Sequence, residues 1–362
     1  MFLHILGSGS MFTKAFYCML AENFKKEDHC FLGHFPQVDE YRKMNGCKIV
    51  QSRSIWMPIY LNRADHILVH GLFNKTVILA LALQPWLLKK CNWIVFGADI
   101  YSYKKKNKNL SDKIFEKLKL IIAPRIAYIS TFTEGDWKLA KEWYHVKGIN
   151  LKVSYPLASC NAELINDLYS QKKEHKSVNI LVGNSATVTN QHFQALDWLS
   201  FLKNEDIQIY LPLNYGLEDY KTYANKVILY AQKIFGDKKV IPLVDKLSGE
   251  DYLRFLNTID VALFNNNRQQ AMGNITQAVL CGAKVYIRKD TNMWEHYQKL
   301  NCFLENIEEI KNYKTLEDLT KRNEEKILRN QKAMAIRQNI RLKIEIWDNI
   351  FKCMEKSNAR RK

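Results

Sequence analysis

A short polar turn follows one apolar run in the second half of the chain. Residues 180–182 (ILV) lead directly into Gly183, Asn184 and Ser185. Glycine lets backbone N–H groups approach a ligand because it has no Cβ, and small hydroxyl or amide side chains supply further donors. The pattern therefore predicts a phosphate-binding turn at the end of a strand, with backbone donors around Gly183–Ser185.

A second polar loop follows another apolar run, residues 261–264. It supplies one guanidinium, two amides and a glycine at the start of a predicted helix: Arg268, Gln269, Gln270, Gly273 and Asn274. Arginine can hold a diphosphate through two parallel hydrogen bonds, and the first turn of a helix adds backbone donors. Ligands of open α/β sheets bind at this edge. We expect Arg268 to contact phosphate; an ordinary solvated connection is the alternative.

Two strand ends in the first half carry groups suited to proton transfer. Asp99 follows a small-residue turn and is the best-placed carboxylate for a general base. The alternative for Asp99 is a helix cap or a structural hydrogen-bond acceptor. His70 is the second catalytic candidate, and the alternative is a cleft residue that is hydrogen-bonded to the backbone. We expect the neighbouring loop residues to line a cleft: Gly7, Ser8, Gly71, Asn74 and Gly97.

No D-x-D motif occurs, and the nearest pattern is Glu134-Gly135-Asp136. Enzymes that hold a donor diphosphate through a divalent metal commonly use two carboxylates at that spacing. We therefore expect protein cations, rather than Mg²⁺ or Mn²⁺, to neutralise the phosphates. The sequence predicts no metal site and no other cofactor.

These candidates need a scaffold, and the pattern of the whole chain predicts one. Short apolar runs alternate with longer amphipathic ones, which is typical of βα units around parallel sheets. Strands are predicted over 2–6, 67–70, 93–96, 126–130, 151–155, 179–182, 207–211, 240–244, 261–264 and 284–287. The fold class is α/β, with two doubly wound, Rossmann-like domains at 1–157 and 178–315, a polar linker over 157–177 and a basic helical segment at 316–362.

Composition limits the protein class. The 362 residues are 47% hydrophobic and carry a formal net charge of +17, which excludes a disordered chain and favours an anionic partner. Eight scattered cysteines without a C-x-x-C indicate free thiols in a reducing cytosol. The opening residues 1–7 are typical of a strand rather than a signal peptide. The longest apolar stretch, 76–88, is interrupted by Gln84-Pro85, so we expect a soluble or peripheral protein.

Two basic regions are candidates for contact with a membrane. Residues 104–125 carry eight Lys and Arg against two acids, beside apolar residues at helical spacing. This predicts a membrane-surface helix, or alternatively a solvated face over a core helix. The helical stretch 316–354 has the same two interpretations. The basic residues do not alternate with stacking aromatics on a recognisable module, so no nucleic-acid partner is expected.

Taken together and in order, the motifs resemble one family. It is the TDP-Fuc4NAc:lipid II Fuc4NAc transferases (4-acetamido-4,6-dideoxy-D-galactosyltransferases, glycosyltransferase family 56). The matching segments are His4–Ser8, His70-Gly71-x-Phe73-Asn74, Gly97-Ala98-Asp99-x-Tyr101, Ile180–Ser185 with Asn190-x-His192, Pro212 with Tyr215, Lys246-Leu247 ahead of Tyr252-Leu253, and Arg268-Gln269-Gln270-x-x-Gly273.

The resemblance implies a GT-B enzyme whose two domains face a cleft and whose last helix crosses back to the first domain. Such an enzyme moves an amino-dideoxy sugar from a dTDP-sugar to a lipid-linked saccharide on undecaprenyl diphosphate. The reaction belongs to common-antigen or O-antigen synthesis at the cytoplasmic face of the bacterial inner membrane. The resemblance implies that Tyr215 and Lys246 also belong to the donor site and that Asp99 and His70 face the acceptor. The alternative is a non-catalytic basic protein that binds a membrane or nucleic acid.

Overall fold

The chain divides into two compact units. The computed structural model describes residues 1–6, 11–33, 48–51, 57–157, 175–216 and 219–359. The first unit comprises Met1–Ala158 together with Asn339–Lys362, and the second comprises Ser159–Gln338. Within the described residues each unit contains one parallel sheet with helices on its faces. The predicted α/β class with two parallel-sheet domains is confirmed.

The sheet of the first unit is entirely parallel over the described residues. Its strands are β1 (Phe2–Leu6), β2 (His29–Gly33), β3 (Lys48–Gln51), β4 (His66–His70), β5 (Cys91–Ile94), β6 (Tyr128–Thr131) and β7 (Ile149–Lys152). They are ordered β3-β2-β1-β4-β5-β6-β7. The order in which strands are added to the sheet reverses between β1 and β4. All five residues of both strands are buried. The sequence analysis does not predict β2 or β3.

Helices connect these strands. They are α1 (Met11–Asn23), α2 (Met57–Arg63), α3 (Lys75–Leu83), α4 (Ala98–Tyr101), α5 (Leu110–Ile122) and α6 (Glu134–Tyr144). Short 3₁₀ helices lie at Lys26–Asp28, Pro85–Lys90, Ser102–Lys104 and Ala123–Arg125. Asparagine side chains cap the N-termini of α3 and α5. The side-chain oxygen of Asn74 accepts from the Thr76 and Val77 N–H groups, and that of Asn109 accepts from the Asp112 N–H. These caps pair backbone donors that the helix itself leaves unpaired.

The second unit repeats this architecture. Its strands are β8 (Val178–Val182), β9 (Ile207–Pro212), β10 (Val240–Leu243), β11 (Val261–Phe264), β12 (Lys284–Ile287) and β13 (Glu305–Asn306), ordered β10-β9-β8-β11-β12-β13 and all parallel. Successive strands are added to one side of β8 as far as β10 and then to the other side from β11 onwards, so the strand order reverses between β8 and β11. The loops after these two strands therefore border the crevice in which doubly wound sheets bind ligands. The two-residue β13 is not predicted from sequence.

The connections of the second unit include both helix types. The α-helices are α7 (His192–Trp198), α8 (Tyr220–Phe235), α9 (Gly249–Leu256), α10 (Met272–Leu280), α11 (Asn292–Lys299), α12 (Leu316–Thr320) and α13 (Glu324–Gln338). The 3₁₀ helices are Val188–Asn190, Ser200–Leu202, Asp237–Lys239 and Ile307–Asn312. Apolar side chains on both faces of the sheet form the core of this unit.

The segment predicted as helical over 316–362 contains three helices in its described part. The first two, α12 and α13, belong to the second unit, whereas α14 (Ile340–Ala359) belongs to the first. The aromatic residues of α14 explain this placement: Trp347 and Phe351 are buried against Phe2 and Phe16, and Trp347 Nε1 donates to Ser154 O at 2.8 Å. The last helix therefore packs on the first unit, as the resemblance implies. None of the helices described is long and apolar enough to cross a bilayer.

Candidate active site

The turn after β8 is shaped by one glycine. Gly183 has φ +77°, and a Cβ there would lie 2.4 Å from His192 Nε2 and 3.0 Å from Asn190 Oδ1. Both the backbone conformation and the close packing therefore require glycine. The Gly183 N–H donates to Leu263 O at 2.8 Å, and the Asn184 N–H donates to Asn190 Oδ1 at 3.0 Å. The expectation that these two N–H groups are available to a phosphate is thus wrong, because both are paired inside the protein.

A buried asparagine organises the turn. The Asn190 side chain is 1% exposed. Its amide nitrogen donates to Ser185 O at 3.0 Å and to Thr187 Oγ1 at 2.8 Å. Its oxygen accepts from Asn184 N–H and, at 3.1 Å, from Asn266 Nδ2 in the loop after β11. Asn190 therefore joins the two loops that border the crevice of the second sheet.

Several residues predicted for the donor site come together here. Gln270 Nε2 lies 3.3 Å from Asn184 Oδ1 and 3.2 Å from Ser185 Oγ. Asn184 Nδ2 donates to Tyr215 OH at 3.0 Å. Asn184, Ser185, Tyr215 and Gln270 thus form one network of amides and hydroxyl groups, which Gly183 directly precedes in the chain. Such groups bind phosphate oxygens and sugar hydroxyls without adding charge.

Other predicted donor-site residues lie apart from this network. Arg268 is half-buried and its NH1 donates to the carbonyl of Gln269 at 3.0 Å. Gly273 lies in the first turn of α10, and Asn274 donates to Tyr252 OH at 2.8 Å. Lys246 is exposed in the segment after β10. No side chain caps the N-terminus of α10, so the backbone donors of its first turn remain suited to an anion.

The structure adds a second arginine at this edge. Arg288 follows β12, and its guanidinium forms a two-point ion pair with Asp290 at 2.6 and 2.8 Å. Its NH1 also reaches Gln194 Oε1 at 3.3 Å and Asn265 Oδ1 at 3.4 Å. The Asp290 carboxylate raises the pKa of Arg288. Sequence reasoning missed Arg288, although it follows an apolar strand in the same way as the polar loop after β11.

Several buried polar atoms near the loops after β8 and β11 have no hydrogen-bond partner in the protein. Among the described residues these atoms include His192 Nε2, Asn266 Oδ1 and Gln269 Oε1. An unpaired buried polar group destabilises a fold by about 1–3 kcal/mol, so such atoms mark a site that water or a ligand completes. Burial lowers the pKa of His192 to about 3, and its Nδ1 lies 3.1 Å from Tyr223 OH. The His192 ring is therefore neutral.

The first unit places Asp99 in a closed environment. The carboxylate is 1% exposed and accepts from Trp93 Nε1 at 2.7 Å, Phe96 N–H at 3.0 Å, and the N–H groups of Leu72 and Ile100 at 3.1 Å. Burial raises the pKa of Asp99, and these donated hydrogen bonds oppose that shift. The geometry contradicts a general base at Asp99 and favours the structural alternative, since both oxygens are occupied.

His70 belongs to a buried chain of polar rings. Its Nδ1 is hydrogen-bonded to Tyr155 OH, and its Nε2 lies 3.1 Å from His4 Nδ1. His4 Nε2 in turn lies 3.0 Å from His29 Nδ1. Burial lowers the pKa of His70 to about 3. With both nitrogens engaged and its ring stacked on Trp347, His70 fits a structural role and not the predicted catalytic one.

The predicted cleft residues of the first unit have local backbone roles. Gly71 has φ +83°, and a Cβ there would lie 2.2 Å from a ring carbon of Phe73. Gly97 has φ +86° at the start of α4. Asn74 caps α3. Gly7 and Ser8 lie outside the described residues. Among the residues described, no three His, Cys, Asp or Glu side chains lie close enough to hold a metal ion.

Known proteins resemble the chain over most of its length. Residues 31–334 match the family described as 4-alpha-L-fucosyltransferase, glycosyl transferase group 56. Among solved structures, a glycosyltransferase from Rickettsia africae ESF-5 is 13% identical with a TM-score of 0.66 and 98% of each chain covered. HepE of Anabaena, in complex with UDP and glucose, is 11% identical with a TM-score of 0.70; the alignment covers 98% of this chain and 99% of HepE.

A third structure has the same architecture. WaaG, described as a glycosyltransferase involved in lipopolysaccharide biosynthesis, is 10% identical with a TM-score of 0.65, and the alignment covers 97% of this chain and 99% of WaaG. At these identities the likeness shows the fold alone. That fold is GT-B, as the sequence analysis predicts.

Proposed function

We propose that this chain, which belongs to glycosyl transferase group 56, transfers a 4-acetamido-4,6-dideoxyhexose of the Fuc4NAc type from a dTDP-sugar to a saccharide on undecaprenyl diphosphate. It is a glycosyltransferase with the GT-B fold. The dTDP donor, the lipid-linked acceptor and the role in common-antigen or O-antigen synthesis form the proposal. They rest on the motif resemblance together with the polar site of the second unit.

One observation carries the donor-site assignment. The loops after β8 and β11 meet at the reversal of the second sheet, and buried polar atoms there have no protein partner, among them Asn266 Oδ1 and Gln269 Oε1. These two acceptors match hydroxyl or N–H donors of a sugar or base. His192 Nε2 faces the same turn. Buried polar atoms without partners favour a polar ligand or ordered water at this edge of the sheet.

The positive groups at this edge suit the departing nucleoside diphosphate. Arg268 lies in the polar loop after β11, and α10 starts without a side-chain cap a few residues later. When the glycosidic bond breaks, negative charge grows on the diphosphate, and a guanidinium with helix N–H groups stabilises it. Lys246 is a further cation for the same charge. In this proposal no divalent ion takes part, and Asp99 and His70 hold loops of the acceptor-side unit in place.

A lipid-linked acceptor requires the enzyme to work at a membrane surface. We therefore place the protein at the cytoplasmic face of the bacterial inner membrane as a peripheral enzyme, with anionic lipid as its partner. The net charge of +17 suits that partner. The alternative of a non-catalytic membrane-binding or nucleic-acid-binding protein has no observation in its favour that a glycosyltransferase does not also explain.

The test is nucleotide binding followed by transfer. Thermal-shift titrations with dTDP, UDP and GDP identify the nucleotide, and purified enzyme is then assayed with a panel of dTDP-sugars and a lipid-linked acceptor. We expect dTDP to raise the melting temperature most and a 4-acetamido-4,6-dideoxyhexose to be transferred in the presence of EDTA. A preference for UDP or GDP, or activity that EDTA abolishes and Mn²⁺ restores, would overturn the donor proposal.

A further inference from the structure

One face of the first unit exposes large apolar side chains. Six of them, from α3 through the 3₁₀ helix Pro85–Lys90 to α5, have exposed fractions between 43% and 75%: Leu79, Leu83, Trp86, Leu110, Ile114 and Ile121. Leu79 and Leu83 are one turn apart on α3. The three residues of α5 recur at intervals of four and seven, which places them on one side of that helix. Both helices therefore present an apolar stripe outward.

The two stripes lie next to each other. Lys75, at the start of α3, reaches Ser111 Oγ at 2.8 Å and Asp112 Oδ1 at 2.9 Å near the start of α5. Just beyond the other ends of these helices, the Ala127 N–H donates to Leu88 O at 3.1 Å. The helices therefore run side by side in the same direction. We call the surface formed by the six apolar residues and the exposed lysines Lys113 and Lys117 the α3–α5 face.

Charge around this face is strongly positive. Residues 57–125 contain 12 Lys and Arg but 4 Asp and Glu. Asp99 and Glu116 are buried. Asp112 is paired with Lys75 and Lys105, and Asp65 with the N-terminal amine. The acids of this region are therefore buried or neutralised, whereas Lys113 and Lys117 are exposed on α5 beside Ile114.

We infer that the α3–α5 face docks on an anionic lipid surface, with Leu83, Leu110 and Ile114 entering the headgroup region. Aliphatic side chains set among lysines match a bilayer that is negative at its surface and apolar below it. Trp86 fits the same interface, where indole rings accumulate. The inference rests on the proposed function, since a lipid-linked acceptor lies in such a surface, and it identifies the part of the chain that meets the membrane.

Other partners fit this face less well. A second copy of the chain would bring two positive surfaces together, which like-charge repulsion disfavours. A nucleic acid would meet the lysines, but leucine and isoleucine cannot stack on bases as aromatic residues do. A protein partner would need an acidic rim around an apolar centre. Lipid supplies both properties without a specific sequence.

The experiment is vesicle flotation of the full chain without nucleotide. Vesicles of phosphatidylglycerol with phosphatidylethanolamine are compared with vesicles of phosphatidylcholine alone. We expect the wild type to float with the anionic vesicles only. Leu110→Glu/Ile114→Glu and, separately, Lys113→Glu/Lys117→Glu should each weaken partitioning onto the anionic vesicles by about tenfold or more, because apolar burial and lysine attraction both contribute to binding.

Matched controls lie on α8 of the second unit. Leu229 is 67% exposed, and Lys226 and Lys233 are exposed on the same helix. Leu229→Glu replaces one exposed apolar residue and Lys226→Glu/Lys233→Glu replaces two exposed lysines elsewhere, and both variants should float like the wild type. The inference is overturned if the wild type stays unbound to anionic vesicles, or if the control variants lose binding as much as the α3–α5 variants do.

Nucleotide binding without lipid separates this inference from the proposed function. The α3–α5 variants should bind dTDP with wild-type affinity and melt at the wild-type temperature, which shows that they are folded. Flotation without dTDP binding in the wild type would overturn the donor proposal and leave the lipid surface standing. Binding of dTDP by a wild type that does not float would overturn the lipid-surface inference and leave the donor proposal standing.

Discussion

The side-chain amides of Asn190 and Asn266 are joined by a hydrogen bond of 3.1 Å. This bond links the loop after β8 to the loop after β11, which are the two loops at the reversal of the second sheet. Asn190 also fixes the backbone of Asn184 and Ser185 through its other contacts. The shape of the proposed donor site therefore depends on a residue that does not itself have to touch the ligand.

Asn190→Ala should weaken both the fold and nucleotide binding. The change leaves the Asn184 N–H without its partner and removes one of two partners from Ser185 O and from the Asn266 amide. A buried group left unpaired destabilises the fold by about 1–3 kcal/mol. We expect a lower free energy of urea unfolding and at least tenfold weaker dTDP binding by calorimetry. Asn225→Ala, at an exposed position of α8, is the control and should change neither quantity. Equal dTDP affinity in a folded Asn190→Ala would contradict the positioning role.

Gly183→Ala should be far more damaging than Gly236→Ala. Both glycines have positive φ, +77° and +83°, so alanine is strained at each by about 1–3 kcal/mol. Only at Gly183 does the new Cβ also meet a neighbour, His192 Nε2 at 2.4 Å, whereas Gly236 has nothing within 4 Å. Urea unfolding of the two variants measures how much more alanine destabilises the packed position than the open one. Equal destabilisation would show that His192 moves aside freely.

Two substitutions of Asp99 distinguish a structural role of this carboxylate from a catalytic one. Asp99→Ala removes the acceptor for one indole and three backbone N–H groups, and the loss of a buried network of this kind exceeds about 4 kcal/mol. Asp99→Asn retains one acceptor oxygen and should lose less. For both variants, transfer activity should fall in proportion to the folded fraction measured by circular dichroism. If Asp99→Asn folded fully but had no activity, the assignment of Asp99 as the general base would have to be reinstated.

The sequence supports the scaffold and part of the site, for different physical reasons. The run 261–264 is apolar and bounded by polar residues, so its strand is predicted with the observed limits. The structure brings the Gly183–Ser185 turn and Gln270 together because the parallel strands β8 and β11 end at the same edge of the sheet. β2 was missed because the run HCFLG follows a charged segment and is not bounded by clear turn residues at both ends.

The roles of Asp99 and Asn190 depend on long-range contacts that a local pattern does not contain. A carboxylate after a strand looks the same in sequence whether it faces solvent or four donors, and here one donor comes from Leu72, far back in the chain. Asn190 appears in the motif comparison as one of several polar residues. Its importance follows from the contact with Asn266, which only the folded sheet creates.

The histidines of the first sheet predict acid sensitivity. Burial lowers the pKa of His29 and His66 to about 4 and that of His70 to about 3, from 6.5. The unfolded chain therefore binds protons below about pH 6.5 while the folded chain does not, so stability is complete above that pH and is lost as the pH falls towards the folded pKa values. Each histidine contributes up to about 2 kcal/mol of this loss at pH 5.

Urea unfolding at neutral pH and at about pH 5 tests this expectation. The free energy of unfolding should drop steeply in the wild type. His70→Leu should reduce the slope with pH, whatever its effect on stability at neutral pH, because one titrating group has been removed. A free energy that is equal at both pH values would show that water reaches the rings of His29 and His70 and that they are not held neutral.

Arg268 and Arg288 should differ in their effect on transfer. Arg268 lies in the loop that leads to the uncapped start of α10, and its proposed role is to stabilise charge on the departing diphosphate. Removing such a group lowers kcat by about 10²–10³, so Arg268→Ala should lose that factor at saturating donor. Arg268→Lys should recover part of it, because lysine keeps the charge but not the paired geometry.

Arg288 is held by Asp290 and contacts Asn265, so Arg288→Ala should act through the position of that loop and raise KM for the donor more than it lowers kcat. Arg254, exposed on α9 and paired only at the surface with Glu250, is the matched control, and Arg254→Ala should leave both constants unchanged. Steady-state kinetics at varied dTDP-sugar concentration measure all four arginine variants. A kcat within about twofold of the wild type for Arg268→Ala would remove that guanidinium from the mechanism, because a charge that stabilises the leaving group must appear in kcat.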